Sequence, residues 1–174
     1  MSEMVTEAMG QRSLFQELLD QRVPVIFDGA MGTQIQAQGI GPDDFEGHDG
    51  CNEILNLTRP DAIVEIHKRY LLSGANVIET NTFGANRIKL GDYGLSGRVH
   101  EINSAAAALA RRAVMAACAR HACLVCGTMG PTGRLPSAQG INREKTSFDE
   151  IAEVYKEQAA GLLDGGADML LLET

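Results

Sequence analysis

Four short apolar segments separated by helical patterns constrain the fold of this 174-residue chain more than any other feature. None of the four alternates polar with apolar residues, which is typical of parallel strands that are covered on both faces. They span residues 23–27, 76–79, 122–126 and 168–173. Helices are predicted over residues 13–20, 61–73, 99–120 and 147–163. The alternation of strands and helices predicts an α/β fold with right-handed crossovers and a parallel sheet.

The predicted helix ends carry matching local signals. Pro60 lies near the start of one helix, and Ser147 with Glu150 forms a capping box at the start of another. Gly74 and Gly165 follow predicted helices at positions where glycine commonly ends them. We therefore expect residues 13–174 to form one continuous set of β/α units after a flexible N-terminal segment, residues 1–12.

The charge of the chain narrows the classes of partner. The formal net charge is −8, the isoelectric point is about 4.9, and no long cluster of lysine and arginine is present. This balance argues against nucleic acid and anionic membranes as partners, and it favours small molecules or proteins. No segment approaches the roughly 20 apolar residues that cross a bilayer. Residues 1–11 carry Glu3 and Glu7 instead of a basic segment followed by an apolar one, so the predicted location is the cytoplasm.

The cysteines give no metal-site pattern. All four, Cys51, Cys118, Cys123 and Cys126, are predicted to be free thiols in a cytoplasmic chain. Cys123 and Cys126 have CxxC spacing, but residues three apart in a strand point to opposite faces. Cys51 and His48 supply only two candidate ligands, so they are interpreted as loop residues. No metal ligand is therefore predicted from these residues.

Three polar, glycine-rich loops follow three of the predicted strands. They span residues 28–33 (DGAMGT), 79–84 (ETNTFG) and 127–133 (GTMGPTG). Backbone N–H groups in such turns can hold a carboxylate or phosphate, and the hydroxyls and amide suit a small polar ligand. The alternative for single threonines and asparagines is that they cap the following helix. Because the ends of parallel strands meet at one edge, three loops together predict a binding site there.

An internal repeat places two acidic residues at equivalent strand ends. Gly74-Ala75-Asn76 leads through a strand to Glu79-Thr80, and Gly166-Ala167-Asp168 leads through a strand to Glu173-Thr174. A common helix-to-strand turn would account for the glycines. It does not account for the repeated glutamate at the edge of the sheet where ligands bind.

The strand-end motifs, in order, resemble those of the homocysteine S-methyltransferase family. They are residues 27–33 (FDGAMGT), 74–84 (GANVIETNTFG), 130–133 (GPTG) and 172–174 (LET). Residues 51–60 (CNEILNLTRP) are most similar to the cobalamin-dependent methionine synthases of that family. The resemblance covers nearly all of the chain from about Leu14 onward.

The resemblance implies a (β/α)8 TIM barrel, of which this chain would carry the first half, with ligands at the carboxyl ends of the strands. It implies that Asp28 and Glu173 hold the amino group of homocysteine, while backbone donors at Gly29 and Ala30 and the side chain of Thr80 meet its carboxylate. Carboxylates suit an ammonium group, and glycine-turn amides suit a carboxylate. The implied activity is transfer of a methyl group to the homocysteine thiol to give methionine.

The family's cofactors are implied only in part. Its zinc is bound by three cysteines from later strands, which have no counterpart in this sequence, and cobalamin is the expected methyl carrier. We therefore expect a half-barrel truncated after the fourth strand that carries part of the substrate site but is inactive alone. The alternative is a catalytically inactive fragment that self-associates through its open sheet. A third alternative is a sugar-phosphate aldolase or isomerase, but no lysine lies at a strand end for Schiff-base chemistry.

Overall fold

The computed structural model describes residues 13–117, 122–134 and 146–174. The predicted flexible segment 1–12 and the predicted end of the long helix at residues 118–120 lie outside these ranges. The described residues form an α/β structure in which helices pack against a parallel sheet. This architecture confirms the predicted fold class.

Three strands form the sheet in sequence order. They are β1 (Val77–Glu79), β2 (Leu124–Met129) and β3 (Met169–Leu172). Both neighbouring pairs are parallel: Val77 aligns with Leu124, and Cys126 aligns with Met169. Among the described residues β3 pairs only with β2, so the sheet is open at this edge. Parallel pairing brings all three carboxyl ends to the same edge.

The first predicted strand, residues 23–27, is reduced to a single parallel bridge between Phe27 and Val77. The prediction of a regular strand is wrong here, because the N–H of Ile26 donates to the side chain of Asn76 at 3.0 Å and not to a backbone carbonyl of β1. Val23 and Ile26 are 56% and 53% exposed, so they lack the cover that makes a buried strand continuous. The bridge is nevertheless sufficient to place Asp28 beside β1, since the N–H of Asp28 donates to the carbonyl of Val77 at 3.0 Å.

Seven α-helices are present in the described part of the chain. They are α1 (Leu14–Asp20), α2 (Met31–Gln36), α3 (Leu55–Thr58), α4 (Pro60–Leu72), α5 (Arg87–Gly91), α6 (Val99–Ala117) and α7 (Phe148–Asp164). The capping box at Ser147 and Glu150 is confirmed, with the Ser147 hydroxyl accepting from the Glu150 N–H at 3.1 Å. Ser13 caps α1 in the same way. Gly74 follows α4 with a φ of +105°, a conformation that L side chains rarely adopt.

The core lies between the sheet and helices α4, α6 and α7. Ile63, Ile66 and Leu71 of α4 are buried beside Ile78 of β1 and Val125 of β2. Leucine and isoleucine stacked in this way each stabilise the fold by roughly 1.5–3 kcal/mol. This layer fixes α4 behind the carboxyl end of β1.

Strand β2 continues to Met129, three residues beyond the predicted end at Cys126. The sequence placed Gly127 in a loop, whereas the structure places it inside the strand. A Cβ atom on Gly127 would lie 2.9 Å from side-chain carbons of both Leu162 and Leu170. The glycine is therefore required for the close approach of α7 to β2, and it does not mark a turn.

The internal repeat has a structural role in register. The side-chain oxygen of Asn76 accepts from the N–H of Ile26 at 3.0 Å, and Asp168 accepts from the N–H of Val125 at 2.8 Å. In each case the polar residue before a strand binds the backbone of the preceding strand segment. The two repeats thus lock adjacent strand segments in register.

Among the described cysteines the structure differs from the prediction at Cys123; Cys118 lies outside the described residues. Cys51 and Cys126 are free and buried, whereas Cys123 is disulfide-bonded, so the free-thiol prediction is wrong for Cys123. The interpretation of the CxxC spacing holds, since Cys126 is not bonded to Cys123. No helix in the described ranges is long and apolar enough to cross a membrane.

Candidate functional site

The carboxyl ends of the strand segments enclose a cavity of about 360 Å³. All five predicted site residues line it: Asp28, Gly29, Ala30, Thr80 and Glu173. They come from three separate parts of the chain, after the bridge at Phe27, after β1 and after β3. The cavity volume suits a ligand the size of an amino acid or slightly larger.

Asp28 is held from two sides at the base of this cavity. Its Oδ1 accepts from the N–H of Glu79 at 2.9 Å, and its side chain is only 2% exposed. Burial raises the pKa of Asp28 to about 7, because desolvation disfavours the charged form. The hydrogen bond from Glu79 opposes this shift, and the negative charge of Glu173 adds to it.

Glu79 is a third acidic residue in the cavity that the sequence-based site did not include. The pKa of Glu79 is raised to about 7, first by burial, then by the hydrogen bond to Glu173 and the charge of Glu173, and last by the charge of Asp28. The hydroxyl of Thr128 donates to Glu79 Oε2 at 3.4 Å. The internal repeat already pairs Glu79 with Glu173, and this was the signal that could have identified it.

Three carboxyl groups, from Asp28, Glu79 and Glu173, therefore face one another in a partly desolvated space. We call these three residues the carboxylate cluster. Clustered carboxylates repel, so some of them retain a proton near neutral pH unless a cation enters. A ligand ammonium group would neutralise the cluster and donate charge-assisted hydrogen bonds to its carboxylates, which would replace the hydration of the ammonium.

The hydroxyl of Thr80 is engaged within the strand ends. Thr82 donates its hydroxyl proton to the carbonyl of Thr128 at 2.7 Å, so in the 2.5 Å contact between the two threonine hydroxyls Thr80 is the donor. Thr80 Oγ1 also accepts from the N–H of Thr128 at 3.1 Å. Thr80 lines the cavity, but in this arrangement its only hydroxyl proton points to Thr82.

Backbone donors also line the cavity. Within the described residues the N–H groups of Gly29 and Ala30 donate to no protein acceptor. Tyr70 from α4 lies behind this turn, and its hydroxyl donates to the carbonyl of Ala30 at 3.4 Å. The turn is thus supported from behind while its N–H groups stay free for an anionic group.

The two loop motifs at residues 51–60 and 79–84 form one wall of the site. The Asn81 amide donates to the carbonyl of Asn52 at 2.7 Å, and the Asn56 amide donates to the carbonyl of Asn81 at 2.9 Å. Glu53 accepts from the N–H of Gly84 at 2.7 Å, and a Cβ on Gly84 would approach the same carboxylate oxygen to 2.8 Å. Asn81 therefore joins two loops and does not cap a helix; Asn86 caps α5.

The described residues do not fit a zinc site. They contain no group of three or more histidine, cysteine or acidic side chains that could hold a metal ion. Burial raises the pKa of Cys51 to about 11 and that of Cys126 to about 12, whereas zinc binds the thiolate form. We derive no step through a metal from these residues.

The cavity combines two kinds of polar group. Acidic side chains and free backbone N–H groups both line it. An α-amino acid carries an ammonium group and a carboxylate on one carbon, which matches these two kinds of group.

Known proteins share both the sequence pattern and the fold. Residues 25–174 match the family model described as homocysteine S-methyltransferase. The methionine synthases of Mycobacterium tuberculosis and Mycobacterium leprae are each 45% identical over 159 residues, which are 91% of this chain and 13% of theirs. The chain thus spans a small part of these relatives' length.

Solved structures of the homocysteine methyltransferase MmuM from Escherichia coli have the same fold. The oxidised form matches with a TM-score of 0.73 and 24% identity over 91% of this chain and 56% of that one. The metallated form matches with a TM-score of 0.70 and 24% identity over 90% of this chain and 56% of that one. With the family model covering most of its residues, this chain belongs to the homocysteine S-methyltransferase family.

Proposed function

We propose that this chain holds the amino-acid end of homocysteine in a homocysteine S-methyltransferase, the homocysteine-binding module of a methionine synthase. The observation that carries the proposal is that the carboxylate cluster and free backbone N–H groups line one cavity of about 360 Å³. The 45% identity to methionine synthases supports the same activity. The proposed reaction is transfer of a methyl group to the homocysteine thiol, giving methionine.

Each group of the substrate has a proposed partner. The ammonium group lies among Asp28, Glu79 and Glu173, and the carboxylate meets the N–H groups of Gly29 and Ala30. Thr80 is proposed to bind the carboxylate only after its hydroxyl turns away from Thr82, because its one proton is engaged there. The substrate carbon chain then extends toward the open mouth of the cavity, so the thiol is presented to a methyl donor outside it.

The proposal also includes two cofactors, but it assigns them no residues of this chain. The matched relatives include methionine synthases and a metallated homocysteine methyltransferase. We propose cobalamin as the methyl carrier and a metal held by residues other than those described. The cytoplasmic location predicted from the sequence stays a prediction.

A second candidate role is assembly. β3 has no second neighbour among the described residues, and Leu172 on it is 67% exposed. An open apolar strand edge favours pairing with another chain or with further strands. In this alternative the chain is a self-associating half-barrel without activity of its own.

Calorimetric binding of L-homocysteine to the complete protein expressed from its gene tests the proposed function. We expect Glu173→Gln to weaken binding by roughly 10- to 100-fold, because a charge-assisted hydrogen bond is lost. The matched control is Glu65→Gln, since Glu65 is exposed on α4 and pairs with Lys68 on the same helix. Equal affinities of the wild type for L-homocysteine and for 4-sulfanylbutanoate, which lacks the amino group, would refute the proposal.

A further inference from the structure

His67 of α4 is buried with both ring nitrogens unpartnered. Its side chain is 0% exposed, and neither Nδ1 nor Nε2 has a hydrogen-bond partner among the described residues. A buried imidazole without partners loses its hydration with no compensation, so an apolar side chain of similar size would be more stable there. Packing alone therefore gives no reason for a histidine at this position.

The ring points to the back of Asp28. His67 Nδ1 lies 4.0 Å from Asp28 Oδ2, while the other carboxylate oxygen of Asp28 accepts from the N–H of Glu79. A separation of 4.0 Å is about 1 Å longer than an N–H···O hydrogen bond. A small rotation of the carboxylate or a small shift of α4 would close it.

His67 differs in kind from the other titratable groups around Asp28. From β1 Asp28 is faced by Glu79, from the end of β3 by Glu173, and from β2 by the thiol of Cys126. Each of these three becomes negative when it ionises, so each disfavours the Asp28 carboxylate. Among the described residues that face Asp28, His67 is the side chain that can stabilise this charge, by donating a ring N–H.

We propose that His67 is a positioning residue, which donates its Nδ1–H to Asp28 Oδ2 whenever this carboxylate is ionised, as it is when a ligand ammonium binds, and so fixes Asp28 in its binding orientation. This inference rests on the proposed function, because the ammonium of homocysteine supplies the charge that ionises Asp28. In the empty site Asp28 can keep a proton, and the 4.0 Å gap stays open. With ligand bound, Asp28 accepts from Glu79 and His67 while its charge faces the ammonium.

The protonation state of His67 agrees with this role. Burial lowers the pKa of His67 to about 4, so the ring is neutral at pH 7 and carries one proton. The donor tautomer has this proton on Nδ1. A neutral donor orients the carboxylate without replacing the charge of the ligand.

Two variants of the complete protein separate positioning from packing. His67→Asn places an amide N–H near the position of Nδ1, and His67→Gln places it near Nε2. Both are polar and of similar size, so a merely structural role predicts similar effects. The measurement is the dissociation constant of L-homocysteine by calorimetry between pH 6 and 8.5, with circular dichroism to verify the fold of each variant.

We expect His67→Asn to keep the wild-type pH midpoint of binding. In contrast, His67→Gln should raise this midpoint by about half to one pH unit and weaken binding at pH 7 by about three- to ten-fold, because the carboxylate loses one donor. The deficit should shrink above pH 8, where Asp28 is ionised in all forms. Binding of 4-sulfanylbutanoate should be unchanged.

Equal midpoints for both variants and the wild type, or an equal loss of affinity at every pH, would overturn the positioning role alone. A wild-type protein that binds no L-homocysteine at any pH would overturn the proposed function and this inference with it. If one variant does not fold, the midpoint of the other still decides: a shift for His67→Asn contradicts the role, and the absence of a shift for His67→Gln contradicts it.

Discussion

The backbone N–H of Glu79 donates to the Asp28 carboxylate at 2.9 Å, although 51 positions separate the two residues in the chain. This hydrogen bond joins the turn after the first strand segment to the end of β1. Both side chains belong to the carboxylate cluster, so the contact that aligns the backbone also sets the spacing of two charges. The stability of the fold and the chemistry of the site are therefore coupled at Asp28.

Asp28→Asn should stabilise the fold above neutral pH. The pKa of Asp28 is raised to about 7 in the folded state, so between about pH 4 and pH 7 the unfolded chain binds fewer protons, and the free energy of unfolding falls as the pH rises. Asparagine keeps the acceptor for the Glu79 N–H without the buried charge. We expect a gain of about 1–3 kcal/mol at pH 8 and little change at pH 4.5.

Thermal unfolding of the 174-residue chain at both pH values measures this difference. A destabilised variant at pH 8 would show that the Asp28 charge is favourably solvated or paired in the folded state. The same variant should bind homocysteine more weakly, because asparagine has no charge to pair with the ligand ammonium. The wild type would thus keep a buried charge that destabilises the fold but serves binding.

Binding of homocysteine should release protons near pH 6.5. The raised pKa values of Asp28 and Glu79, each about 7, mean that the empty site carries protons which an ammonium group displaces. Affinity should therefore rise as the pH increases through 7. Calorimetry in buffers of different ionisation enthalpy measures the number of protons released, which should fall in Glu79→Gln and stay constant in Glu65→Gln. Proton uptake on binding would contradict this assignment.

The sequence was sufficient for much of the fold because its signals are local. The last three apolar runs, the Ser147 capping box and the glycine after α4 each depend on neighbouring residues, and each was confirmed. The first strand was predicted incorrectly because the Ile26 N–H bonds the side chain of Asn76, 50 positions away, and no local pattern reports this. The prediction for Gly127 was wrong because the sequence does not distinguish a glycine that permits close helix packing from a glycine that permits a turn.

The sequence predicted residues that line one cavity, but it did not predict the hydrogen bonds among them. The five predicted residues line one cavity because parallel strands end at one edge. Thr80 gives its proton to Thr82 because Thr82 donates to the carbonyl of Thr128, which is 46 positions away. The place of His67 behind Asp28 depends on side-chain directions in two elements that are 39 positions apart. Glu79 was visible in the repeat, but its membership of the carboxylate cluster depended on the side-chain contact with Glu173, which the sequence does not show.

The 174-residue chain should bind no stoichiometric zinc and should not methylate homocysteine by itself. Its described residues offer no group of three metal-binding side chains, and the free thiols of Cys51 and Cys126 are buried with raised pKa values. Metal analysis of the purified chain and an assay with methylcobalamin measure both properties. One tightly bound zinc ion per chain with turnover would contradict the prediction.

The isolated chain should self-associate at micromolar concentration through the edge at β3. Leu172→Glu should shift the mass measured by analytical ultracentrifugation toward the monomer, because a charge at an exposed edge disfavours strand pairing. Leu72→Glu is the matched control, since Leu72 ends α4 and is 72% exposed, similar to the 67% of Leu172. A wild-type chain that sediments as a monomer would contradict the prediction, and so would equal effects of the two variants.

The crystal structure of the complete protein with L-homocysteine bound is the most direct test of the carboxylate cluster as the ammonium site. We predict the amino nitrogen within about 3 Å of carboxylate oxygens of both Asp28 and Glu173, with the substrate carboxylate on the Gly29 and Ala30 N–H groups. An amino nitrogen that contacts none of the three acidic side chains, or a substrate bound outside this cavity, would contradict the account.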